Sequence, residues 1–180
     1  MLDKLAAMSL AALIATASAV ALAAGGHSGG HQNAYGEPAA AAQATRTITV
    51  IMRDNNYEPE RITVKAGEVI KFVIRNEGEL LHEFAIGRRA DHMAHQKMMA
   101  MMLDHGMITT TSIDPEKMKM DHGGMSMSHA HGPESGSVLV EPGKSAELVW
   151  KFRQADRLEF ACTVPGHYEA GMVGRINFGK

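Results

Sequence analysis

The feature that most constrains this chain is a short segment, residues 160–172, that carries three soft metal-binding side chains. Cys162 is the only cysteine of the chain, His167 follows five positions later, and Met172 follows five positions after that. Proline and glycine between these residues predict an irregular loop. A thiolate, imidazoles and a weak thioether form the ligand set that selects a redox-active copper ion. The segment therefore predicts a metal site built on a loop.

This loop supplies one histidine, so a second imidazole must come from elsewhere in the chain. His82 lies beside an apolar, strand-like stretch and is the candidate. The alternative is a free buried Cys162, since a lone cysteine often behaves as a small hydrophobic residue, with His82 as a hydrogen-bonded histidine at a strand end. The ligand types, their spacing and the upstream histidine together favour the metal site.

Short segments of alternating polar and apolar residues, separated by turn residues, occupy much of the chain and predict an antiparallel β-sandwich. The predicted strands are residues 46–52, 61–65, 69–75, 82–86, 137–140, 146–152, 158–161 and 173–178. The ligand loop then joins the last two strands, and His82 comes from the end of an earlier one. We expect them to meet at one end of the sandwich.

The pattern Cys162-x4-His167-x4-Met172, preceded by His82, resembles the cupredoxins, which are small type 1 copper proteins. The resemblance covers residues 47–178 apart from one long insert. Because of this insert, the chain is most similar to the periplasmic copper-tolerance cupredoxins. The resemblance implies an all-β fold, a cupredoxin-like Greek-key β-sandwich with a helical or flexible Met/His-rich insert.

By the same resemblance, one type 1 copper ion would be bound by His82, Cys162 and His167 as equatorial ligands and by Met172 as the axial ligand. Many cupredoxins have an asparagine directly after the first histidine ligand, where it ties the two ligand segments together. Glu83 occupies that position here. The surroundings of the ligands therefore depart from the family pattern.

The N-terminus predicts an export signal over residues 1–23. An apolar, uncharged run over residues 5–24 ends near a small-x-small cleavage site. A retained membrane anchor is the alternative, but the alanine-rich run is only marginally apolar for a span. We expect cleavage, a periplasmic protein and no stable membrane span afterwards. A flexible linker would occupy residues 24–44, and the cupredoxin domain residues 45–180.

Cleavage after Ala24 would leave Gly25-Gly26-His27 at the new N-terminus. An amine, two amide nitrogens and one imidazole form the square-planar field that Cu(II) prefers. Cleavage after Ala23 would remove this site.

The Met/His-rich insert covers residues 88–136. Its first part, residues 91–105, predicts a helix with His95, Met98, Met99 and Met102 on one face. These methionines either fill a core or bind metal. Beyond Pro115, methionine and histidine lie among Gly, Ser and Lys, which predicts a mobile segment. We expect it to bind additional copper ions; the alternative is a surface for a protein partner.

Composition and site chemistry argue against two classes of function, nucleic-acid binding and catalysis. A length of 180 residues allows one domain, and a net charge of −2 gives no basis for nucleic-acid binding. Four protein ligands leave no open position for a substrate, so we expect no enzyme.

The sequence predicts a periplasmic, redox-active copper protein acting in copper tolerance or homeostasis. Alternatives are a dedicated one-electron carrier between respiratory partners and a copper chaperone. Partners would be copper ions and a redox partner, copper exporter or oxidase.

Overall fold

The structure of the protein is a computed structural model that describes residues 33–119 and 135–179. Alternation of buried and exposed residues along the strands matches chain segments that turn one face to a core. In the described part of the chain the strands are β1 (Gly36–Pro38), β2 (Arg46–Arg53), β3 (Asn56–Glu58), β4 (Arg61–Val64), β5 (Val69–Asn76), β6 (His82–Arg88), β7 (Ser137–Val140), β8 (Ser145–Phe152), β9 (Leu158–Ala161) and β10 (Val173–Phe178). The α-helices of the same ranges are α1 (Arg89–Asp104) and α2 (Pro115–Lys119).

Within the described residues the strands form two sheets of five, in the orders β1-β8-β5-β2-β3 and β4-β10-β9-β6-β7. Most neighbours in each sheet are distant in sequence, so the chain passes repeatedly between the sheets. The predicted β-sandwich is confirmed. The prediction of purely antiparallel pairing was wrong at two places, because β2 pairs in parallel with β5 and β10 pairs in parallel with β4.

Aromatic side chains join the two sheets at the centre of the core. Phe72 of one sheet lies 5.2 Å, ring centre to ring centre, from Phe84 of the other. Phe84 lies 5.2 Å from Phe160, which in turn contacts Tyr57 at 5.0 Å. Such pairs contribute about 0.5–1.5 kcal/mol each beyond the burial of their area. Because Phe84 and Phe160 lie two positions from His82 and Cys162, this cluster fixes the strand ends that carry them.

Strand β1 lies inside the predicted linker over residues 24–44, and the linker prediction does not hold for its residues. It pairs antiparallel with β8, with Pro38 opposite Trp150. Gly36 permits this contact, because a Cβ atom there would lie 2.1 Å from Trp150 Nε1. A three-residue strand has no periodicity of its own, so the sequence pattern gave no sign of it.

Helix α1 confirms the helix predicted in the insert, with a start two residues earlier. The Asp91 carboxylate accepts a hydrogen bond from the Arg88 backbone N–H at 2.9 Å, which closes the first turn. The helix ends before Gly106, which has a left-handed φ of 64°.

The methionines of helix α1 pack mainly in the core. Met99 and Met102 are fully buried, and Met98 is half-buried against the same cluster. The sequence left two roles open for the methionines of this helix face, core packing and metal binding. Met99 and Met102 pack in the core. His95, on the same face, instead reaches a buried carboxylate described below.

Several predictions concern residues outside the described ranges: the export signal, Gly25-Gly26-His27 and most of the Met/His-rich segment beyond Lys119. Within the described ranges, neither α-helix combines the length and apolar character that a bilayer crossing requires.

Candidate metal centre

His82 opens strand β6 and points into the end of the sandwich. Its register opposite Val140 of β7 fixes the backbone, and its side chain is fully buried. The preceding loop is held by Asn76, whose side-chain amide donates to the Leu80 and Val140 carbonyls at 2.7 and 2.8 Å. The imidazole therefore enters the site from a fixed strand end, as predicted.

The loop between β9 and β10 carries the other three candidate ligands. Its ends are joined because the Cys162 N–H donates to the Met172 carbonyl at 3.1 Å, and the Met172 N–H donates to the His167 carbonyl at 3.0 Å. Gly171 has a φ of 97°, a left-handed conformation that glycine adopts readily and that brings the chain back to β10. Cys162 and Met172 are fully buried, and His167 is half-buried.

Three of the four predicted ligands converge. His167 Nδ1 lies 3.3 Å from Cys162 Sγ and 3.1 Å from His82 Nδ1, and His82 Nδ1 lies 4.0 Å from Cys162 Sγ. Among the described residues, this trio is the group of His, Cys, Asp and Glu donors that could share one metal ion. The backbone bonds between Cys162 and Met172 keep the methionine at the same end of the sandwich.

Asp54 sets the orientation of His82. Its Oδ1 atom lies 2.9 Å from His82 Nε2, so a neutral imidazole donates from Nε2 and leaves Nδ1 free of a proton. Metal-binding histidines characteristically bond their other ring nitrogen to a carboxylate in this way. The free Nδ1 lone pair faces the sulfur of Cys162, which is the chemistry a metal site needs.

The protonation states also suit a metal site. Burial lowers the pKa of His82, partly offset by Asp54, and burial together with the neighbouring His82 lowers the pKa of His167. Both imidazoles are therefore neutral at neutral pH. Burial raises the pKa of the Cys162 thiol to about 12, since a bare thiolate would be poorly solvated there. The metal-free site therefore holds a thiol, and a bound cation would displace its proton.

Glu83 performs the joining role that the family pattern gives to asparagine. Its backbone N–H donates to Cys162 Sγ at 3.3 Å, and its carboxylate accepts the Thr163 N–H at 3.2 Å and the Thr163 hydroxyl. The two ligand segments are thus tied together by a carboxylate. Glu83 therefore departs from the family pattern in residue type but keeps the connection between the two segments.

Sequence reasoning missed two contributors to the site, Asp54 and His95. Asp54 lies in a stretch typical of a turn, Asp54-Asn55-Asn56, and nothing in its local pattern shows that it faces His82 across the fold. His95 was assigned to a methionine-rich helix face. It contacts Glu83 Oε1 at 3.0 Å, a partner 12 positions away that no helical periodicity specifies.

The sandwich, with imidazole and thiol donors gathered at one end, defines a class of small copper-site proteins. The family described as cupredoxin-like domain matches residues 10–132. The chain belongs to the cupredoxin-like family.

Three relatives carry the name copper-resistant cuproprotein CopI. The protein from Pseudomonas aeruginosa is 51% identical over 153 residues, covering 81% of this chain and 83% of the relative. That from Rubrivivax gelatinosus is 39% identical over 154 residues, covering 85% and 78%. That from Vibrio cholerae is 34% identical over 145 residues, covering 78% and 70%.

Solved structures give the same fold at low sequence identity. Auracyanin B matches with a TM-score of 0.55 at 16% identity, covering 82% of this chain and 99% of its own. Reduced auracyanin from Roseiflexus castenholzii matches with a TM-score of 0.51 at 20% identity, covering 76% and 99%. These likenesses support the cupredoxin-like β-sandwich.

Proposed function

We propose that this protein binds one copper ion through His82, Cys162, His167 and Met172 and acts in copper tolerance, with redox cycling at the site. The observation that carries the proposal is the convergence of two imidazole nitrogens and one thiol sulfur at a buried end of the sandwich. Three relatives named for copper resistance supply the physiological context.

The donor set itself supports copper over other metals. Thiolate and thioether suit Cu(I), imidazole suits Cu(II), and a mixed set accommodates both oxidation states. Bound copper would supply one-electron exchange. Zinc accepts the cysteine and the two histidines, but a thioether is a poor zinc ligand.

The proposed ligands differ in how far they are buried, and this gives them different roles. Cys162 and His82 are fully buried and exclude water, whereas His167 is half-buried and offers the edge closest to solvent for electron exchange. Four protein ligands leave no position for a substrate, which supports a binding and electron-transfer role over catalysis.

The direct test is a visible and EPR spectrum of the copper-loaded mature protein beside its Cys162→Ser variant. We expect an intense thiolate-to-copper absorption in the native protein and its loss in Cys162→Ser. A variant that keeps the band would show that the sulfur does not bind copper.

Two other roles follow from the same site: a dedicated electron carrier and a chaperone for an oxidase. Growth of a deletion strain separates them. Copper sensitivity without a respiratory defect supports the tolerance role, while a respiratory defect at normal copper sensitivity supports the carrier. An oxidase that lacks copper in the deletion strain supports the chaperone.

The part of the Met/His-rich insert that follows Lys119 is proposed to bind additional copper ions. Because Met99, Met102 and Met107 belong to the core, the useful deletion removes residues 120–131 and leaves helix α1 intact. We expect the number of copper ions per chain to fall in this deletion while the thiolate absorption remains. An unchanged copper number would contradict copper binding by this segment.

Periplasmic location is likewise a proposal, supported by the apolar run and the small-residue cleavage site near residue 23. N-terminal sequencing of the mature protein tests it. Ala24 as the first residue matches the predicted cleavage, while Gly25 would create the Gly-Gly-His chelate.

A further inference from the structure

We infer that helix α1 of the insert positions the Cys162 loop, through a bridge formed by Glu83 and His95. This inference rests on the proposed function only in naming the loop a copper site. The bridge itself is a contact between an insert helix and the ligand-bearing strands. Glu83 and His95 are thus positioning residues.

The Glu83 carboxylate is completely enclosed and accepts hydrogen bonds from three directions. Oε1 accepts from the Ser137 hydroxyl and lies 3.0 Å from His95 Nε2. Oε2 accepts from the Thr163 N–H at 3.2 Å and from the Thr163 hydroxyl. One carboxylate thus joins β6, β7, the ligand loop and helix α1.

Within the described residues, the donors to the Glu83 carboxylate include two hydroxyls, one backbone N–H and the His95 imidazole. A carboxylate offers about four acceptor positions, and a buried polar group is costly unless it is hydrogen-bonded. Because the His95 donor comes from helix α1, at 3.0 Å from Oε1, the helix contributes directly to holding this carboxylate.

An asparagine side chain at position 83 would be shorter by one methylene group. The glutamate extends past the ligand segments to the helix, and this contact gives the insert a structural connection to the site. The bridge therefore couples two parts of the chain that the sandwich alone would leave separate.

Two further contacts connect helix α1 with the ligand loop. Gln96 Nε2 donates to Glu169 Oε1 at 2.7 Å. The His92 ring lies 6.0 Å, centre to centre, from the ring of Tyr168, which follows the ligand His167 directly. The helix therefore contacts the loop directly after His167, at Tyr168 and Glu169. Met99 and Met102 anchor the helix in the core.

The test compares His95→Ala with His105→Ala in the full mature protein. The control histidine lies just beyond the same helix and is exposed, with Nδ1 at 2.8 Å from the Met101 carbonyl. Two readouts are used: the rate at which a maleimide labels Cys162 in the metal-free protein, and the EPR spectrum with Cu(II) bound. The first needs no metal, and the second reports ligand geometry.

We expect His95→Ala to label about tenfold faster, as for the loss of one hydrogen bond to a buried carboxylate, and to change the copper hyperfine splitting. His105→Ala should match the native protein in both readouts. Native labelling and a native spectrum in His95→Ala would overturn the inference. A native protein without the thiolate-to-copper band would refute the copper site and leave the labelling comparison valid.

If His95→Ala does not fold, substitution of the half-buried Gln96 by alanine tests the same positioning through Glu169, with Lys97→Ala at an exposed position as the control. Faster labelling and a changed spectrum in Gln96→Ala alone would support positioning by the helix. Equal behaviour of the two variants and the native protein would reject it.

Discussion

His82 Nε2 lies 2.9 Å from Asp54 Oδ1, which places a fully buried imidazole against a carboxylate at the protein surface. Asp54 is itself fixed, because it also accepts the backbone N–H groups of Glu79 at 3.2 Å and Leu80 at 3.3 Å. The loop before β6 thereby orients the carboxylate, and the carboxylate orients Nδ1 of His82, the proposed ligand atom, toward Cys162.

Replacing Asp54 should weaken copper binding. In Asp54→Ala the His82 Nε2–H loses its acceptor, so the ring can rotate or exchange tautomers, and we expect Cu(II) affinity to fall about 10–100-fold. A competition titration against a chelator of known affinity measures the change. Asp156→Ala, at an exposed position, is the control and should bind copper like the native protein. Native affinity in Asp54→Ala would show that His82 needs no orienting carboxylate.

Among the described residues, the strands longer than three residues, helix α1 and the ligand loop could be predicted from the sequence because their signals are local. Alternation marks strands such as β8, and residue type with fixed spacing marks Cys162, His167 and Met172. His82 followed from the need for a second imidazole. These predictions require no knowledge of which distant segments meet.

The remaining features depend on long-range contacts that have no periodic signature. Asp54 and His82 are 28 positions apart, and Glu83 and Thr163 are 80 apart. Gly78 shows the same limit: it resembles any turn glycine, yet a Cβ atom there would lie 2.5 Å from Asp54 Oδ1. Only the folded chain shows that this glycine makes room for the contact that orients His82.

The contact between Gly174 and Phe160 predicts a stability change independent of metal. A Cβ atom at Gly174 would lie 2.0 Å from the Phe160 ring, whose own neighbours prevent it from moving aside. Overpacking of this kind costs about 1–3 kcal/mol. Gly174→Ala should therefore lower the free energy of unfolding of the metal-free protein in urea by that amount.

Gly179→Ala is the matched control for this measurement. Gly179 follows the last strand, β10. A Cβ atom there would lie 3.2 Å from the methyl group of Thr63, so only a small shift of the Thr63 side chain is needed. Equal unfolding free energies for the two variants would contradict the packing argument.

The Cys162 thiol predicts how copper affinity depends on pH. Its pKa of about 12 means that the metal-free thiol is protonated throughout the range from pH 7.5 to 10. In the proposed site the thiolate binds the metal, so each ion bound would release one proton and the affinity would rise about tenfold per pH unit. Because burial lowers the pKa of His82 and His167, protonation of these ligands steepens the slope only below the ordinary histidine range.

Titration with copper at fixed pH values measures this slope, and direct proton release in weakly buffered solution provides a second measurement. Cys162→Ser should lose the slope above pH 7.5, since no thiol proton remains to be displaced. A native protein whose affinity is independent of pH in this range would bind the ion without using the thiolate.

The reduction potential tests the fourth proposed ligand. The axial ligand tunes the potential of such sites. A thioether suits Cu(I), but Cu(I) accepts three ligands readily whereas Cu(II) gains more from a fourth donor, so loss of the axial donor destabilises Cu(II) more. Met172 is fully buried, and its backbone carbonyl accepts a hydrogen bond from the Cys162 N–H. Met172→Leu should therefore fold and retain copper. We expect protein electrochemistry to give it a higher reduction potential than the native protein.

Met102→Leu is the control, because Met102 is an equally buried core methionine whose replacement preserves volume. A shift shared by both variants would point to packing, whereas a shift confined to Met172→Leu would identify its sulfur as the axial donor.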